Sequence, residues 1–470
     1  MTQAGSSYDE VAYPTAVFAQ ATPDRLATVA RLHGLKPPPI DRARVLEIGG
    51  GDAMNLIALG AAYPHTTCLS FDLSAKAVER GREWLAAAGI GNVEVRELDI
   101  LDAAAGAIEG EWDYVIAHGV YAWVPEPVRA AVMALIGRVL SPHGVAFVSY
   151  NSTPGSYLRL AMRELLLDHL KEVEGTGPRL AAAKSFLWAY SRQPATSDEP
   201  LAAALRQLAR EMAERPDAVL HHDEMGDVYA PQSLSQVAAA AGAAGLRWLG
   251  DADVGRMEEG FGGPTEEAVL RAAQLGDYVG GRFFRQSLLV RSDARPERRL
   301  TGAAVAPLFA SCQGSRGDNW AYALGSARFE VSDVPLREAL DRLIARWPGR
   351  IACSELLKDE ARLRALFGLF DGGLIGLHAG EAPLALTPGE RPEASPLVRV
   401  QLALGWPAVS TLDHRTLTMP EPRARAFVAL LDGSRDRRAL ERDWAAAGHA
   451  EDVPVEAALQ ATAAQGLLRG

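Results

Sequence analysis

The apolar positions between residues 44 and 151 come in short runs that alternate with stretches of helical spacing. Short apolar runs bounded by turn residues are typical of buried strands, whereas apolar residues three and four positions apart indicate helices. Strands that alternate with helices predict βαβ units and a parallel, doubly wound sheet. The predicted strands cover 44–50, 66–74, 93–100, 111–119 and 144–151, and the predicted helices cover Ala53–Tyr63, Ala75–Ala88 and Val128–Leu140.

The alternation is interrupted where Leu, Ala, Arg and Glu recur at helical spacing without a strand pattern. It then returns with a helix over 233–246 and strands over 246–254 and 282–293, which we interpret as the last helix and the closing strand pair of the same sheet. The chain is therefore predicted to contain a Rossmann-like, seven-stranded α/β core. We expect an N-terminal arm or lid over 1–40, the core over 41–155 plus 230–293, and a helical insertion over 156–229.

A different pattern follows the charged, proline-containing stretch between Arg291 and Arg298. Amphipathic helices are predicted over Pro335–Arg346 and Ser354–Phe367, followed by a β wing over 372–380. A similar order of extended segment and helices recurs from Ser410, with helices over Arg423–Leu431 and Arg437–Ala446 and a last one that ends near Gln465. The sequence thus predicts winged-helix-like domains over 294–385 and 386–470.

Composition and charge narrow the possible partners of the 470-residue chain. Hydrophobic residues make up 48% and the formal net charge is −11, which argues against a nucleic-acid binder that must neutralise phosphates. The polar N-terminus and the absence of a long apolar run predict no membrane insertion. Three widely spaced cysteines indicate neither a disulfide framework nor a metal site and favour the cytoplasm. Adjacent residues rarely converge on one ion, so we interpret the segment 221–224 (HHDE) as a helix start or interface.

The glycine-rich turn after the first predicted strand is the first candidate site. Gly49, Gly50 and Gly51 allow a ligand to approach the backbone closely, and the next helix offers free N–H groups. Met54 stands where a dinucleotide-binding fingerprint needs a glycine or alanine, so that fingerprint is excluded. Glu47, just before the glycines, suits a ligand with an amino-acid ammonium group. The alternative is a strand-to-helix turn without a ligand.

Acidic residues also end the second and third predicted strands. Asp72 could accept hydrogen bonds from ribose hydroxyls, or it could cap the helix that starts at Ser74. Asp99 could accept from an adenine amino group while Ile100 packs on the ring, or it could be an exposed turn acid. Acids at the ends of three consecutive strands are a stronger signal than any one of them.

In order and spacing, Glu47–Gly51, Asp72 and Asp99 resemble the motifs of class I S-adenosylmethionine-dependent methyltransferases, although Ala53 stands where many members have a third glycine. Four further segments, Tyr8–Pro14, Thr22–Ala27, Ala117–Pro125 and Val148–Gly155, resemble a subgroup that carries a methyltransferase regulatory domain and includes rickettsial protein-lysine methyltransferases. The resemblance implies S-adenosyl-L-methionine as cofactor and an N-terminal segment that folds over it; the alternative for its tyrosines is to anchor an arm. The implied cofactor-binding residues are Tyr8, Tyr13, Glu47, Gly49, Gly50, Gly51, Asn55, Asp72, Leu73, Asp99, Ile100 and His118.

The ends of the fourth and fifth strands should face the transferred methyl group. His118 could accept a proton because its unperturbed pKa lies near the operating pH, or it could be a satisfied core histidine. Tyr121 and Trp123 could line an aromatic slot for a cationic amine or sulfonium. Tyr150 and Asn151 end the fifth strand and complete the catalytic candidates.

Extra domains beyond the core favour a large acceptor. We therefore expect a methyltransferase that acts on a protein or peptide, with lysine Nζ as the preferred acceptor. The alternatives are a small-molecule methyltransferase and a catalytically silent, cofactor-binding interaction protein. The C-terminal domain is expected either to dock a peptide or only to pack and dimerise, and the Ala- and Leu-rich insertion could form a homodimer surface.

Overall fold

A computed structural model describes residues 11, 13, 15–194, 199–448 and 453–470. Tyr8 lies outside the described residues. At the centre is a seven-stranded sheet of order β3-β2-β1-β4-β5-β7-β6, in which β7 runs antiparallel to both of its neighbours. The strands are β1 (Arg44–Ile48), β2 (Thr67–Asp72), β3 (Val93–Glu97), β4 (Trp112–Ala117), β5 (Leu140–Asn151), β6 (Leu246–Asp251) and β7 (Phe284–Arg291). The predicted α/β fold class is confirmed.

Almost all residues of β1, β2, β4 and β5 are buried, because helices cover both faces of this sheet. β1 lies between β2 and β4, so the strand order reverses there and a crevice opens at the carboxyl ends of the strands. The helices of the first part are α1 (Pro23–Leu32), α2 (Met54–Ala62), α3 (Ala75–Ala88) and α4 (Glu126–Val139).

The segment between β5 and β6 is helical, as predicted. Its helices α5 (Tyr157–His169), α6 (Thr176–Ser191) and α7 (Pro200–Ala213) share a small core of their own. A π-helical turn, Leu220–Glu224, follows. The chain re-enters the sheet through α8 (Leu234–Ala243), whose capping box is formed by Ser233 and Gln236. The expectation that this is the sheet's last helix is wrong, since α9 (Glu266–Gly280) joins β6 to β7.

The region after β7 holds two small sheets, two longer helices and two single-turn α-helices, Gly302–Val305 and Cys353–Leu356. The strands are β8 (Phe309–Ser311), β9 (Gly314–Arg316), β10 (Ala321–Leu324), β11 (Ala327–Glu330), β12 (Ile351–Ala352) and β13 (Gly376–His378), and the helices are α10 (Val334–Arg346) and α11 (Glu360–Asp371). The single helix predicted over Ser354–Phe367 is wrong: a short turn ends at Leu356 and α11 starts anew after Asp359, whose carboxylate caps it. Within the predicted wing only β13 is a strand, and it pairs with β8.

This region shares one continuous hydrophobic core with α1 and with one face of the central sheet. The connection near Arg298 is tied down, because its guanidinium donates to the carbonyls of Trp248 and Leu249. The last region has its own core. It contains α12 (Pro396–Ala403), the hairpin β14 (Ala408–Ser410) and β15 (Thr416–Thr418), α13 (Pro422–Ala429), α14 (Arg437–Ala446) and α15 (Val455–Ala464). Among the described helices, none has both the length and the apolar character needed to cross a membrane.

Candidate active site

The glycine turn forms a cradle at the carboxyl end of β1. The N–H groups of Gly49 and Gly50 both donate to the carbonyl of Phe71, at 2.9 and 3.2 Å, which pins the turn to β2. A Cβ at Gly50 would lie 2.1 Å from Ser70 Oγ, so no larger residue fits there without displacing its neighbours. At Gly51, which has φ +58°, a Cβ would meet no atom of the described residues within 4 Å. The turn therefore borders open space on one side only, as a ligand-binding loop does.

Ala53 follows the turn as the N-cap of α2 and adopts φ +59°. This left-handed conformation costs an L-residue roughly 1–2 kcal/mol that glycine does not incur. The side chain is fully buried. Ala53 therefore adopts, at the position where many members of the resembled family have a glycine, a backbone conformation that glycine favours.

Glu47 and Asn55 form a buried polar pair beneath the glycine turn. Asn55 Nδ2 donates to Glu47 Oε1 at 3.0 Å, and Ser70 Oγ donates to Glu47 Oε2 at 3.3 Å. Burial raises the pKa of Glu47 to about 7, although both hydrogen bonds act in the opposite direction. A carboxylate held at this cost gains most from a cationic ligand group, which would restore its ordinary pKa.

Asp72 ends β2 and links the glycine turn to the next helix. Its Oδ2 accepts from the N–H of Gly51 at 2.8 Å and its Oδ1 from the N–H of Ser74 at 2.9 Å. The cap of α3 is the Ser74 hydroxyl, so Asp72 is not the N-cap. Burial raises the pKa of Asp72. The neighbouring Leu73 is 51% exposed.

Asp99 follows β3 and caps a short turn, with Oδ1 accepting from the N–H of Leu101 at 2.8 Å. Ile100 is half-buried and packs against the core on the β4 side of the sheet. Asp99 therefore has the local role of a turn acid, which leaves its second oxygen without a partner among the described residues. The three acids lie at the carboxyl ends of three adjacent strands, as the sequence predicts.

The N-terminal arm crosses the glycine turn. Thr15 Oγ1 donates to the carboxylate of Asp52, and Phe18 N–H donates to Asn55 Oδ1 at 3.0 Å. Further out, Tyr13 lies with its ring centroid 5.5 Å from that of His222, whose Nε2 is 2.6 Å from the carbonyl of Val11. The arm thus bridges the cradle and the helical insertion.

His118 lies just past β4 among aromatic rings. The ring centroids of Phe18, Phe147 and Phe284 are 4.0, 5.8 and 6.4 Å away. Nδ1 lies 2.9 Å from Ser149 Oγ, which also accepts from the N–H of Gly119. Burial lowers the pKa of His118 to about 4, well below the unperturbed value on which the proposed role as proton acceptor was based. The imidazole is neutral at physiological pH and is a weak base.

The candidates Tyr121, Tyr150 and Asn151 make their contacts within the protein. Tyr121 and Tyr150 are buried against each other, with ring centroids 6.3 Å apart. The hydroxyl of Tyr150 lies 3.0 Å from Ser287 Oγ, and burial raises its pKa. Asn151 is also buried, and its carbonyl accepts from the N–H of Gln232.

The ring of Trp123 already contacts cations, which are arginine side chains of the same chain. The guanidiniums of Arg159 and Arg163 lie 5.2 and 5.9 Å from its ring centroid, and Tyr229 packs 4.9 Å away. Arg159 also pairs with the buried Glu224 at 2.7 Å. The half-buried ring of Trp123 therefore joins the core to the insertion.

The segment His221–Glu224 supplies contacts rather than a metal site. His222 contacts the N-terminal arm, and Glu224 accepts from Arg159 and Arg215. Across the described residues, no cluster of His, Cys, Asp and Glu side chains has the geometry to hold a metal ion. The interpretation of this segment as a helix start or interface agrees with these contacts.

Several residues at the site were not found from the sequence. Phe18 and Phe284 enclose His118 from the N-terminal arm and from β7, Ser149 contacts its ring, and His414 contacts Asn55 from the C-terminal region at 2.8 Å. Only Ser149, two positions before Asn151 on β5, carried a usable signal, because its side chain emerges on the same face of the strand.

Comparisons with protein families match three parts of the chain. The family described as a methyltransferase domain matches residues 45–144, the predicted methyltransferase regulatory domain matches 216–291, and the PKMT C-terminal winged helix domain matches 390–468. The regulatory-domain match begins just before the π-helical turn of the insertion and continues to the end of β7.

Comparisons with individual proteins lead to rickettsial relatives. An uncharacterized protein of Rickettsia prowazekii (strain Madrid E) is 34% identical over 222 residues, which are 47% of this chain and 88% of that protein. A second one from the same organism is 29% identical over 300 residues, 62% of this chain and 54% of its own length. The solved structure of PKMT2 from Rickettsia typhi in complex with AdoHcy superposes with a TM-score of 0.81 at 22% identity, covering 97% of this chain and 100% of that one. The whole architecture described above is thus shared with a known structure.

Proposed function

The chain belongs to a family of methyltransferases that carry a regulatory domain and a C-terminal winged helix, and from this premise we propose that it transfers a methyl group from S-adenosyl-L-methionine to a polypeptide. The preferred acceptor atom is lysine Nζ. The observation that carries the proposal is that Glu47, Asp72 and Asp99 lie at the carboxyl ends of three adjacent strands, with Asp72 bonded to the N–H of Gly51.

The residues of the cradle fit the cofactor part by part. Glu47 is a buried carboxylate with a raised pKa, and it matches the ammonium group of the amino-acid moiety. Asp72 accepts from the Gly51 N–H and is proposed to accept from the ribose hydroxyls as well. Asp99 keeps one carboxylate oxygen for the adenine amino group, and Ile100 offers an apolar surface beside it. Tyr13 and Leu73 are 44% and 51% exposed and are proposed to cover the bound cofactor.

When bound, the cofactor supplies an electrophilic methyl group on a sulfonium. The chain's part in the reaction is then to hold the acceptor nitrogen in line and uncharged, since an ammonium has no lone pair to attack with. The ring cluster of Phe18, Phe147 and Phe284 around His118 makes the ends of β4 and β5 apolar. Such surroundings disfavour a charged amine and lower the pKa of an entering lysine.

His118 is proposed to orient rather than to deprotonate. Its pKa of about 4 makes it a poor proton acceptor near neutral pH, whereas its contact with Ser149 fixes the plane of the ring. The proton of the lysine is released to water before the side chain enters the aromatic enclosure. Tyr121, Tyr150 and Asn151 are proposed to shape the enclosure, because they are buried and their contacts lie within the protein.

A polypeptide is the proposed acceptor because most of the chain lies outside the catalytic core. We keep 386–470 as the unit that docks a protein or peptide, and 294–385 as a winged-helix-like unit between it and the core. Homodimerisation through the insertion and a cytoplasmic location remain parts of the proposal. Light scattering during gel filtration tests the first, and fractionation of the source cells tests the second.

The test of the proposed function is transfer of a labelled methyl group. The purified protein is incubated with methyl-labelled S-adenosylmethionine and a lysate of its source organism, and labelled polypeptides are hydrolysed to amino acids. We expect label in methylated lysine. Asp72→Ala should abolish it, because the cradle loses both its ribose acceptor and the bond to Gly51. Glu111→Ala removes an exposed acid before β4 and serves as the matched control.

The other outcomes separate the alternatives. Label confined to small molecules would replace the polypeptide with a small acceptor. Cofactor binding without transfer to any fraction would leave a silent, cofactor-binding interaction protein. Label in polypeptides at another residue type would keep the methyltransferase and reject lysine.

A further inference from the structure

The turn between β14 and β15 reaches from the C-terminal winged helix into the catalytic core. His414 at its tip has φ +64° and is 7% exposed. Its Nε2 lies 2.8 Å from Oδ1 of Asn55, in the first turn of α2. The cofactor cradle is thus contacted by a side chain that lies 359 residues further along the chain than Asn55.

The turn is built to hold this histidine in place. The N–H of His414 donates to the carbonyl of Thr411 at 3.0 Å, and the Thr411 hydroxyl accepts from the N–H of Arg415 at 3.0 Å. The guanidinium of Arg415 lies 5.0 Å from the ring centroid of Trp347. A left-handed histidine is uncommon and persists only where its surroundings determine it.

Contacts around the turn fasten the winged helix to the same part of the core. Gln401 on α12 lies with Nε2 3.8 Å from the sulfur of Met54, next to Asn55. Trp406 meets Trp84 of α3 edge to face, at a centroid distance of 5.0 Å. The helices α2 and α3 that flank the cofactor cradle therefore form the docking surface of the winged helix.

The hydrogen bonds of Asn55 show what His414 does. Oδ1 of Asn55 takes the N–H of Phe18 and faces Nε2 of His414, so this atom is the acceptor and the amide nitrogen is left to donate to Glu47. Burial holds the pKa of His414 at about 4, so the ring is neutral. Because Asn55 Oδ1 can only accept, the proton of the ring is assigned to Nε2. Two donors on one side thus fix the amide orientation that supports the Glu47 carboxylate.

We infer that the C-terminal winged helix is part of the cofactor site, with His414 as a positioning residue that acts on Glu47 through Asn55. The inference rests on the proposed function, because it takes Glu47 to bind the cofactor's ammonium group. Binding at one place is then coupled to docking at the other, and such coupling is reciprocal. A polypeptide that shifts the winged helix would change cofactor affinity, and the cofactor would tighten the docking of the winged helix.

The experiment compares two substitutions of similar size that differ in one donor. His414→Gln can still donate to Asn55, whereas His414→Leu fills the space without a donor. Loss of one such hydrogen bond corresponds to about a 3- to 10-fold weaker affinity for S-adenosylhomocysteine, measured by calorimetry. We expect this loss for His414→Leu and an affinity near wild type for His414→Gln. His143→Leu, at an exposed histidine of β5, is the control.

A second readout follows the turn itself. Hydrogen exchange of the amides of His414 and Arg415 should slow when S-adenosylhomocysteine is added to the wild type and to His414→Gln, but not to His414→Leu. Equal affinity of His414→Leu and the wild type would overturn the inference and leave the proposed function intact. Equal weakening of both substitutions would also overturn it, since packing would then be responsible. A wild type that fails to bind S-adenosylhomocysteine would reject the proposed function and the inference with it.

Discussion

The two halves of the candidate site are built in different ways. The cofactor half, at the ends of β1, β2 and β3, consists of acids and glycines that bond mainly within these neighbouring strands and their turns, as Gly51 does to Asp72. Phe18 and His414 add contacts to it from elsewhere in the chain. The acceptor half, at the ends of β4 and β5, consists of rings that meet partners from the N-terminal arm, the insertion and β7. One half is built mainly from neighbouring strands and turns, and the other depends on segments from elsewhere in the chain.

This difference teaches which property each half controls. In the polar half, burial disfavours the charged forms of Glu47 and Asp72, as their raised pKa values indicate. The affinity of this half for a ligand should therefore depend on the charge of the ligand. The aromatic half holds His118 neutral by burial, so it should respond to shape and to exclusion of water. Substitutions in the first half are expected to change affinity, and those in the second to change turnover.

The largest expected effect is on cofactor affinity after Glu47→Ala. The substitution removes the carboxylate proposed to bind an ammonium group and leaves Asn55 Nδ2 without its acceptor. A hydrogen bond to a charged group contributes about 1.5–3 kcal/mol, which predicts about a 10- to 100-fold weaker affinity for S-adenosylhomocysteine. Calorimetry is the measurement, with Glu111→Ala as the control. An unchanged affinity in a folded variant would remove Glu47 from the cofactor half.

The next effect is on turnover after His118→Leu. We expect kcat to fall about 10-fold, from loss of the contact with Ser149, while the affinity for S-adenosylhomocysteine stays at the wild-type value. The pH midpoint of kcat should not move, because a histidine of pKa about 4 is already neutral where activity is measured. Steady-state kinetics between pH 6 and 9 check this. A shifted midpoint would restore His118 as the base and break the division between the halves.

The same division explains how far the sequence could be interpreted. Glu47, Gly51, Asp72 and Asp99 lie on consecutive strands whose carboxyl ends must meet, so pattern alone brought them together. The partners of Trp123 could not be found in this way. Arg159 comes from a helix whose spacing says nothing about the face it packs against, and Tyr229 comes from the non-helical end of the insertion. The contact of His414 with Asn55 depends on how a separate domain docks on the core, and the spacing of apolar residues in the sequence does not predict this docking.

The helix between β6 and β7 was not predicted, because its sequence pattern does not identify it clearly. α9 carries exposed apolar residues, Leu275, Tyr278 and Val279, which blur the amphipathic pattern that identifies a surface helix. The break at Asp359 inside a predicted helix was missed because the apolar spacing continues through it. There the carboxylate of Asp359 accepts from the N–H of Arg362 and starts a new helix.

A smaller effect should appear in the pH dependence of cofactor binding. Burial raises the pKa of Glu47 to about 7 in the folded protein without ligand, so the folded state favours the protonated carboxyl group more than the unfolded state does. The charged form becomes a cost to stability as the pH rises from the unfolded pKa towards 7. An ammonium group binds the charged form, so affinity should rise about fivefold from pH 6 to pH 7 and level off above pH 8. Calorimetry in buffers of different ionisation enthalpy should detect the released proton.

Glu47→Gln tests the assignment of that titration, because an amide does not ionise in this range. The variant should bind S-adenosylhomocysteine more weakly, with an affinity that no longer depends on pH. If the pH dependence persists in Glu47→Gln, the titrating group lies elsewhere, and Asp72, whose pKa is also raised by burial, is the next to test.

The smallest expected effect concerns the backbone of the cofactor half, through Ala53→Gly. Glycine adopts φ +59° without the steric penalty of roughly 1–2 kcal/mol that Ala53 incurs. Against this, it adds about 0.4–1 kcal/mol of entropy to the unfolded chain and loses the burial of one methyl group, about 0.8 kcal/mol. These contributions largely cancel, so the free energy of unfolding should stay within about 1 kcal/mol of the wild type. The affinity for S-adenosylhomocysteine should not change, since the backbone shape is kept.

Ala58→Gly is the matched control, because Ala58 is buried in the same helix, α2. A glycine in a helix interior costs about 1 kcal/mol, with the lost burial of a methyl group in addition, so Ala58→Gly should unfold at clearly lower denaturant concentration than Ala53→Gly. Urea titrations of the two variants measure this difference directly. If both lose the same stability, the left-handed conformation of Ala53 costs nothing. The cofactor half would then depend on its polar side chains alone, and not on a strained turn that holds them in register.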